Sequence, residues 1–362
     1  MKKLFIAATS QNDGKTTIAL GLILNLRKYF PGIGFIKPIG QRYLLEEGLK
    51  VDEDSVLMEK VCNFTVPLNF LNPIAVERGF TEKYIQAPHP EAITSQILDS
   101  FEKISASSDL VIIEGTGHAG VGSVFDHSNA RVAKLLGAKV IIISSGGIGR
   151  PIDEVAINKS LFDKEGAELL GVIVNKVLKS KYDKISKLVN LGFKRLGIEE
   201  LGTIPYNPIL SAPIVEQIKE EMDLTYLTNE EKKNNIIEKI IIGAMEPRDA
   251  FKYIERNTLL ITPGDREDII LTAIESAVIP DTNNYSIAAV LLTGGMMPGK
   301  KSMEMIKKVR IPFLIAKEDT YTVAAAIHDL SIKLRAADSE KIDLVKDMVA
   351  EYVDIDKILA YV

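Results

Sequence analysis

No stretch constrains this chain more than Ala8-Thr9-Ser10-Gln11-Asn12-Asp13-Gly14-Lys15-Thr16-Thr17. An apolar run at 4–7 precedes it and a periodic segment at 18–26 follows, so the order is strand, small-residue loop, helix start. In such a layout loop amides and a helix N-terminus surround a phosphate chain. Gly14 lets the backbone approach without a Cβ, Lys15 supplies a mobile positive charge, and Thr16 offers a hydroxyl to Mg²⁺. The expected nucleotide-contacting set is Asp13, Gly14, Lys15, Thr16 and Thr17, with the Asp13 carboxylate turned to solvent so that it does not repel the phosphates. The usual opening glycine is replaced by Thr9 or Ala8, according to the spacer counted. The plain alternative is a strand-to-helix turn with a solvent lysine; Gly-Lys-Thr-Thr placed directly after a strand favours nucleotide binding.

A loop of this kind, a P-loop, asks for carboxylates near its metal. The β-branched run at 109–113 ends in Glu114 and then glycines, the place where P-loop proteins set a second carboxylate toward Mg²⁺. Asp54 opens a helical run, where an acid either offsets the helix dipole or serves the same metal. Lys37 ends the short strand at 34–39, facing the ligand crevice of an open α/β sheet or simply solvent. Further strands at 139–144, 170–174 and 201–206 alternate with helical segments, which predicts right-handed βαβ units and a parallel sheet covered on both faces. Asn175, at the end of the fifth strand, is either an amide that pairs with adenine or a turn residue. His118 and His127 lack the spacing of a transition-metal site.

The 362-residue chain has room for two domains. A net charge of -5 gives no invitation to nucleic acid or anionic membrane. The single cysteine, Cys62, cannot form an intrachain disulfide, and no signal peptide or membrane-spanning run is visible. A cytoplasmic protein is expected.

Prolines at 208 and 213 mark a boundary, giving expected domains of 1–209 and 212–362. The second half again reads as parallel α/β, with strands at 258–262, 288–293 and 312–316 and a C-terminal amphipathic helix at 338–362 packed on its own domain. Asp265-Arg266 and Thr293-Gly294-Gly295 sit at strand ends. Gly264, Gly294 and Gly295 there either form a backbone anion site with Arg266 as counter-charge, or Asp265 caps a helix while Arg266 pairs locally.

Gly-Lys-Thr-Thr, Phe-Ile-Lys-Pro, Asp54, Ile-Glu-Gly-Thr-Gly, Gly-Val-Ile-Val-Asn and Leu-Gly-Thr-Ile-Pro-Tyr follow one another as in the dethiobiotin synthetase family. Over 1–207 the chain most resembles the domain of this kind at the N-terminus of many phosphate acetyltransferases. The Asp-Arg and Thr-Gly-Gly pairs, with Asp-Thr-Tyr at 319–321, resemble the DRTGG domain over 212–330. The first resemblance implies a P-loop NTPase-like fold binding ATP and Mg²⁺. Lys15 and Thr16 would hold phosphates, Thr16, Asp54 and Glu114 the metal, Lys37 would face an acceptor, and Asn175 would read adenine. The second implies a regulatory, ligand-sensing and often dimerising module, with Asp265, Arg266, Thr293, Gly294 and Gly295 as its ligand residues.

Acetyl transfer is not expected of this chain by itself, since the acetyltransferase catalytic domain that normally follows these modules has no room in 362 residues. The leading expectation is a Mg-ATP-binding homodimer with a regulatory or sensor role, acting on a small-molecule effector or a metabolic enzyme. An ATP-dependent ligase or phosphoryl-transfer enzyme with Lys15 and Lys37 as catalytic residues is the alternative, and an ATPase in cofactor maturation ranks third.

Overall fold

Leu4 to Ala8 are all buried in the first strand, β1 (Lys2–Ala8). Continuous burial is what a strand covered on both faces needs. The computed structural model describes residues 1–46, 48–278, 286–330 and 332–361. In it β1 lies within a six-stranded parallel sheet with β2 (Ile33–Ile36), β3 (Leu110–Glu114), β4 (Lys139–Ser145), β5 (Leu169–Val177) and β6 (Glu200–Pro205). The order is β6-β5-β4-β1-β3-β2. Ile6 pairs with Glu114 on one side of β1, and Ala8 with Ile143 on the other. The chain thus turns outward in opposite directions from β1, which opens a crevice at the carboxyl ends of β1, β3 and β4. All six strands expected from the sequence are present.

Two compact units make up the chain: 1–207 with 334–362, and 208–333. The expected second domain of 212–362 is therefore corrected, because the tail belongs to the first unit. It forms two helices, Ser339–Tyr352 and Ile355–Tyr361, in place of one. Its apolar stripe, Val345, Met348 and Val349, is buried. It meets α1 (Lys15–Leu26) at Gly21, where a Cβ would lie 2.4 Å from Val349 Cγ2. Asn25 Nδ2 donates to Lys346 O at 2.8 Å, and Asp354 N to Leu201 O at 2.8 Å. An amphipathic pattern shows that a face must be covered; it does not name the groove that covers it.

The second unit holds a five-stranded sheet ordered β7-β11-β10-β9-β8. Its strands are β7 (Thr225–Thr228), β8 (Lys239–Ile242), β9 (Thr258–Pro263), β10 (Ile287–Thr293) and β11 (Phe313–Ile315). β7 runs antiparallel to β11, so this sheet is mixed where a parallel one was expected. The edge strand β7 has no fully buried residue and shows no apolar run to reveal it.

His127 illustrates how the first unit handles a polar group. It is 1% exposed, with Nε2 2.8 Å from Thr94 Oγ1 and Nδ1 2.8 Å from Phe125 O. Burial, with help from Arg131, pulls its pKa below the ordinary 6.5, against the Phe125 carbonyl and Asp126. The folded state thus prefers the neutral ring, while the unfolded chain takes up a proton near 6.5. Above that pH the term vanishes; as pH falls through it, stability is lost. Thermal midpoints of wild type and His127→Gln should accordingly converge or cross between pH 8 and pH 5, and a constant gap would clear His127 of this role.

Candidate functional site

Helix α1 opens directly on the P-loop, and Gly14 at its start has φ +96°, a left-handed conformation that favours glycine. A Cβ at Gly14 would lie 2.4 Å from Asn175 Nδ2. Asn175, at the end of β5, donates that nitrogen to Asp13 O at 2.8 Å and accepts at Oδ1 from Lys176 N at 2.9 Å. Lys176 Nζ donates to Asn12 O at 2.6 Å. The end of β5 therefore clamps the loop. In this arrangement both ends of the Asn175 amide are engaged by the protein, so it reads the P-loop backbone where adenine recognition was one expectation. The first N–H groups of α1 have no intrahelical acceptor, and its first turn carries no acid. An open helix N-terminus of this kind favours an anion.

Asp13 departs from expectation. It is 5% exposed and turned inward, its carboxylate accepting from Thr9 Oγ1 at 2.9 Å, Ser10 N at 2.7 Å and Ser10 Oγ at 3.2 Å. Three donors satisfy the charge and make Asp13 the brace of the loop. The Lys15 ammonium is held only at 3.5 Å, by Ser10 O. Burial lowers its pKa, with Glu114 and Asp13 pulling the other way.

Beside the loop stands a buried group of charges. Thr16 Oγ1 donates to Glu114 Oε1 at 2.8 Å. Lys37, 5% exposed, places Nζ 2.9 Å from Asp52 Oδ1 and 3.5 Å from Glu114 Oε1, and in still closer contact with Asp54 Oδ2. Burial acts against the Lys37 charge, but Asp54, Glu114 and Asp52 together raise its pKa well above the ordinary value. Burial pushes Glu114 up to about 7, opposed by Lys37 and reinforced by Asp54. Asp52 caps α2 (Glu53–Cys62) by accepting from Asp54 N at 3.0 Å. Asn72 Oδ1 accepts from Asp52 N at 2.9 Å.

These residues fit a divalent cation held jointly with phosphates. Glu114 Oε2 is buried with no hydrogen-bond partner, next to the Thr16 hydroxyl. Among the described residues no three His, Cys, Asp or Glu side chains form a ready-made metal cage. Mg²⁺ at a phosphate site does not require one, taking one or two carboxylates with phosphate oxygens and water. The structure brings Lys15, Thr16, Lys37, Asp54, Glu114 and Asn175 to one end of the sheet. It turns Lys37 onto carboxylates where the resemblance implied an acceptor. Sequence reasoning passed over Asp52 and Asn72. Asp52 lay in the acidic segment at 50–55, immediately before a helix, which is an N-cap signal; nothing in the sequence marked Asn72.

In the second unit the amides at the strand ends are already used. Gly264 N donates to Thr293 O at 3.2 Å, Gly294 N to Glu318 O at 2.7 Å and Gly295 N to Ala316 O at 2.8 Å. Arg266 pairs with Asp268 through Nε at 2.9 Å and Nη2 at 2.8 Å, and Nη2 also donates to Met245 O at 2.9 Å. Thr293 Oγ1 lies 2.7 Å from Thr320 Oγ1. Local pairing of Arg266 is thus what the structure displays, and a backbone anion nest at these glycines is not.

Residues 2–214 match the family of AAA domains, and residues 217–330 match the DRTGG domain. The phosphate acetyltransferase of Pseudomonas putida is 27% identical, over 98% of this chain and 51% of its own length. That of Synechocystis is 24% identical, over 99% and 51%. The chain spans about half the length of the curated relatives it matches. Among solved structures, the septum site-determining protein MinD of Pyrococcus horikoshii complexed with Mg-ADP is similar at 16% identity and a TM-score of 0.38, over 58% of this chain and 83% of that one. The CBS and DRTGG domains of the regulatory region of Clostridium perfringens pyrophosphatase, complexed with diadenosine tetraphosphate, are similar at 17% identity and a TM-score of 0.28, over 51% and 70%. No helix among the described residues is long and apolar enough to cross a membrane. Through residues 2–214, more than half of its length, the chain belongs to this AAA domain family, with a P-loop NTPase-like parallel sheet, and it carries a DRTGG domain after it.

Proposed function

We propose that the first unit binds ATP with Mg²⁺ at the P-loop and that the chain, as a homodimer, is a sensor whose DRTGG domain responds to an effector or partner. The observation that carries this reading is the junction of β1, β3 and α1. There the Thr16 hydroxyl, an orphaned Glu114 oxygen and the open amides of a helix N-terminus stand together. Lys15 supplies the charge for the terminal phosphates, and its loose tether to Ser10 O leaves it free to swing onto them. Bound Mg²⁺ would neutralise phosphate charge. Thr16 and Glu114 would hold it, Asp13 keeps the loop in shape, and Asn175 with Lys176 fixes the loop to β5. Lys37, enclosed by three carboxylates, favours a binding and sensing role over attack on an acceptor.

Isothermal titration of the whole chain with ATP and ADP in the presence of Mg²⁺ tests this, and absence of heat with both nucleotides would refute it. Lys15→Ala is expected to weaken nucleotide binding by at least about 1.5 kcal/mol, roughly tenfold, as befits a lost charge-assisted contact. Unchanged affinity would place the phosphates elsewhere.

A further inference from the structure

A cavity in the first unit, of about 460 Å³, is lined by no residue of the P-loop. Its walls combine the apolar side chains of Ile74 and Phe80 with the cations Lys50, Arg78 and Lys83. Lys50 is answered by Glu77, which also lines the cavity, at 2.6 Å. Arg78 and Lys83 have no carboxylate partner among the described residues, so the cavity presents two uncompensated positive charges beside an apolar surface. A cavity of this size is within the range that small ligands occupy.

Asn72 also lines it and is 3% exposed. Its Nδ2 donates to Lys37 O at 2.8 Å and to Ile74 O at 3.2 Å, and its Oδ1 accepts from Asp52 N. The wall of the cavity is thus built on the backbone of two members of the charge group around Lys37.

We propose that this cavity binds a compact organic dianion with an apolar carbon segment. The carbon segment would lie on Ile74 and Phe80, and the two negative charges, on two carboxylates or on one phosphate, would meet Arg78 and Lys83. A guanidinium prefers a planar carboxylate or a phosphate, which it takes in bidentate fashion, and Lys83 adds a point charge of the same sign. A monoanion leaves one cation unanswered, and a cationic ligand is repelled. None of its lining residues belongs to the P-loop, so its ligand does not have to displace a nucleotide there.

The test is isothermal titration of the full chain with adipate, hexyl phosphate, hexanoate and 1,6-diaminohexane, at low salt and at 0.5 M NaCl. Either dianion is expected to bind with Kd of about 1 mM or tighter, more tightly than hexanoate and less tightly at high salt, while the diamine does not bind. Adipate against hexyl phosphate separates a dicarboxylate from a phosphate monoester as the preferred form. Arg78→Ala with Lys83→Ala is expected to weaken the preferred dianion at least about tenfold. Both residues are exposed, so the variant keeps its fold, which a thermal midpoint checks. Binding of neither dianion, equal binding of the diamine, or undiminished binding by the double variant would overturn the proposal. The last outcome, combined with loss in Lys15→Ala, would assign the dianion to the P-loop.

Discussion

Lys37→Met is expected to cost the first unit about 3–5 kcal/mol, the scale of breaking a buried ion pair by removing one partner. The Lys37 ammonium is the common counter-charge of Asp52, Asp54 and Glu114, with side chains 2%, 9% and 1% exposed. Methionine fills a comparable volume, so packing changes little and the loss is electrostatic. Urea denaturation at pH 7 measures it, and a cost below about 1 kcal/mol would mean that these carboxylates do not depend on Lys37. Acid should shrink the penalty, because protonated carboxylic acids no longer need a cation. Mg²⁺ gives the variant a second signature. A ligand that binds only the folded state stabilises it in proportion to its occupancy. With the ammonium gone, the same carboxylates are open to a divalent ion, so millimolar Mg²⁺ should raise the variant's midpoint more than the wild type's. Equal shifts would separate these carboxylates from the metal.

The sequence made this group of charges legible only in pieces. Lys37, Asp54 and Glu114 each end a strand or open a helix, positions where α/β sheets place ligand groups, so they stood out individually. That they share one ammonium is a fact of tertiary packing, since 17 residues separate Lys37 from Asp54 and the bond joining Thr16 to Glu114 spans 98. The six strands of the first sheet were readable because parallel strands buried on both faces are continuous apolar runs, as in Leu4 to Ala8 and Leu110 to Ile113. The β7 edge strand and the hairpin of Tyr43–Glu46 with Leu49–Asp52 lack that signal, because their residues are largely exposed or half-buried. The destination of the C-terminal helix was hidden for a different reason. What receives it is an absence of side chain, Gly21 in the middle of α1, and a helical glycine does not reveal what lies against it. Asp13 misled by the same route: an acid beside an expected anion site looks exposed until its three donors are in place.

The clamp on the P-loop yields the second large effect, with Gly14→Ala as its probe. At φ +96° a residue with a Cβ is strained by about 1–2 kcal/mol. The same Cβ would sit 2.4 Å from Asn175 Nδ2, so Asn175 must withdraw from Asp13 O, adding an overpacking cost of about 1–3 kcal/mol. Gly79→Ala separates the two contributions, because Gly79 has φ +82° and nothing within 4 Å of its would-be Cβ. It should show the backbone cost alone and leave nucleotide affinity intact. Gly14→Ala should exceed it in urea denaturation and also weaken Mg-ATP binding at least about tenfold, since the loop loses its tie to β5. In an Asn175→Ala background the clash has no partner, and the excess cost of Gly14→Ala should shrink toward the Gly79→Ala value. If the two costs simply add, Asn175 does not press on Gly14, and the cost of a Cβ there is the backbone strain alone.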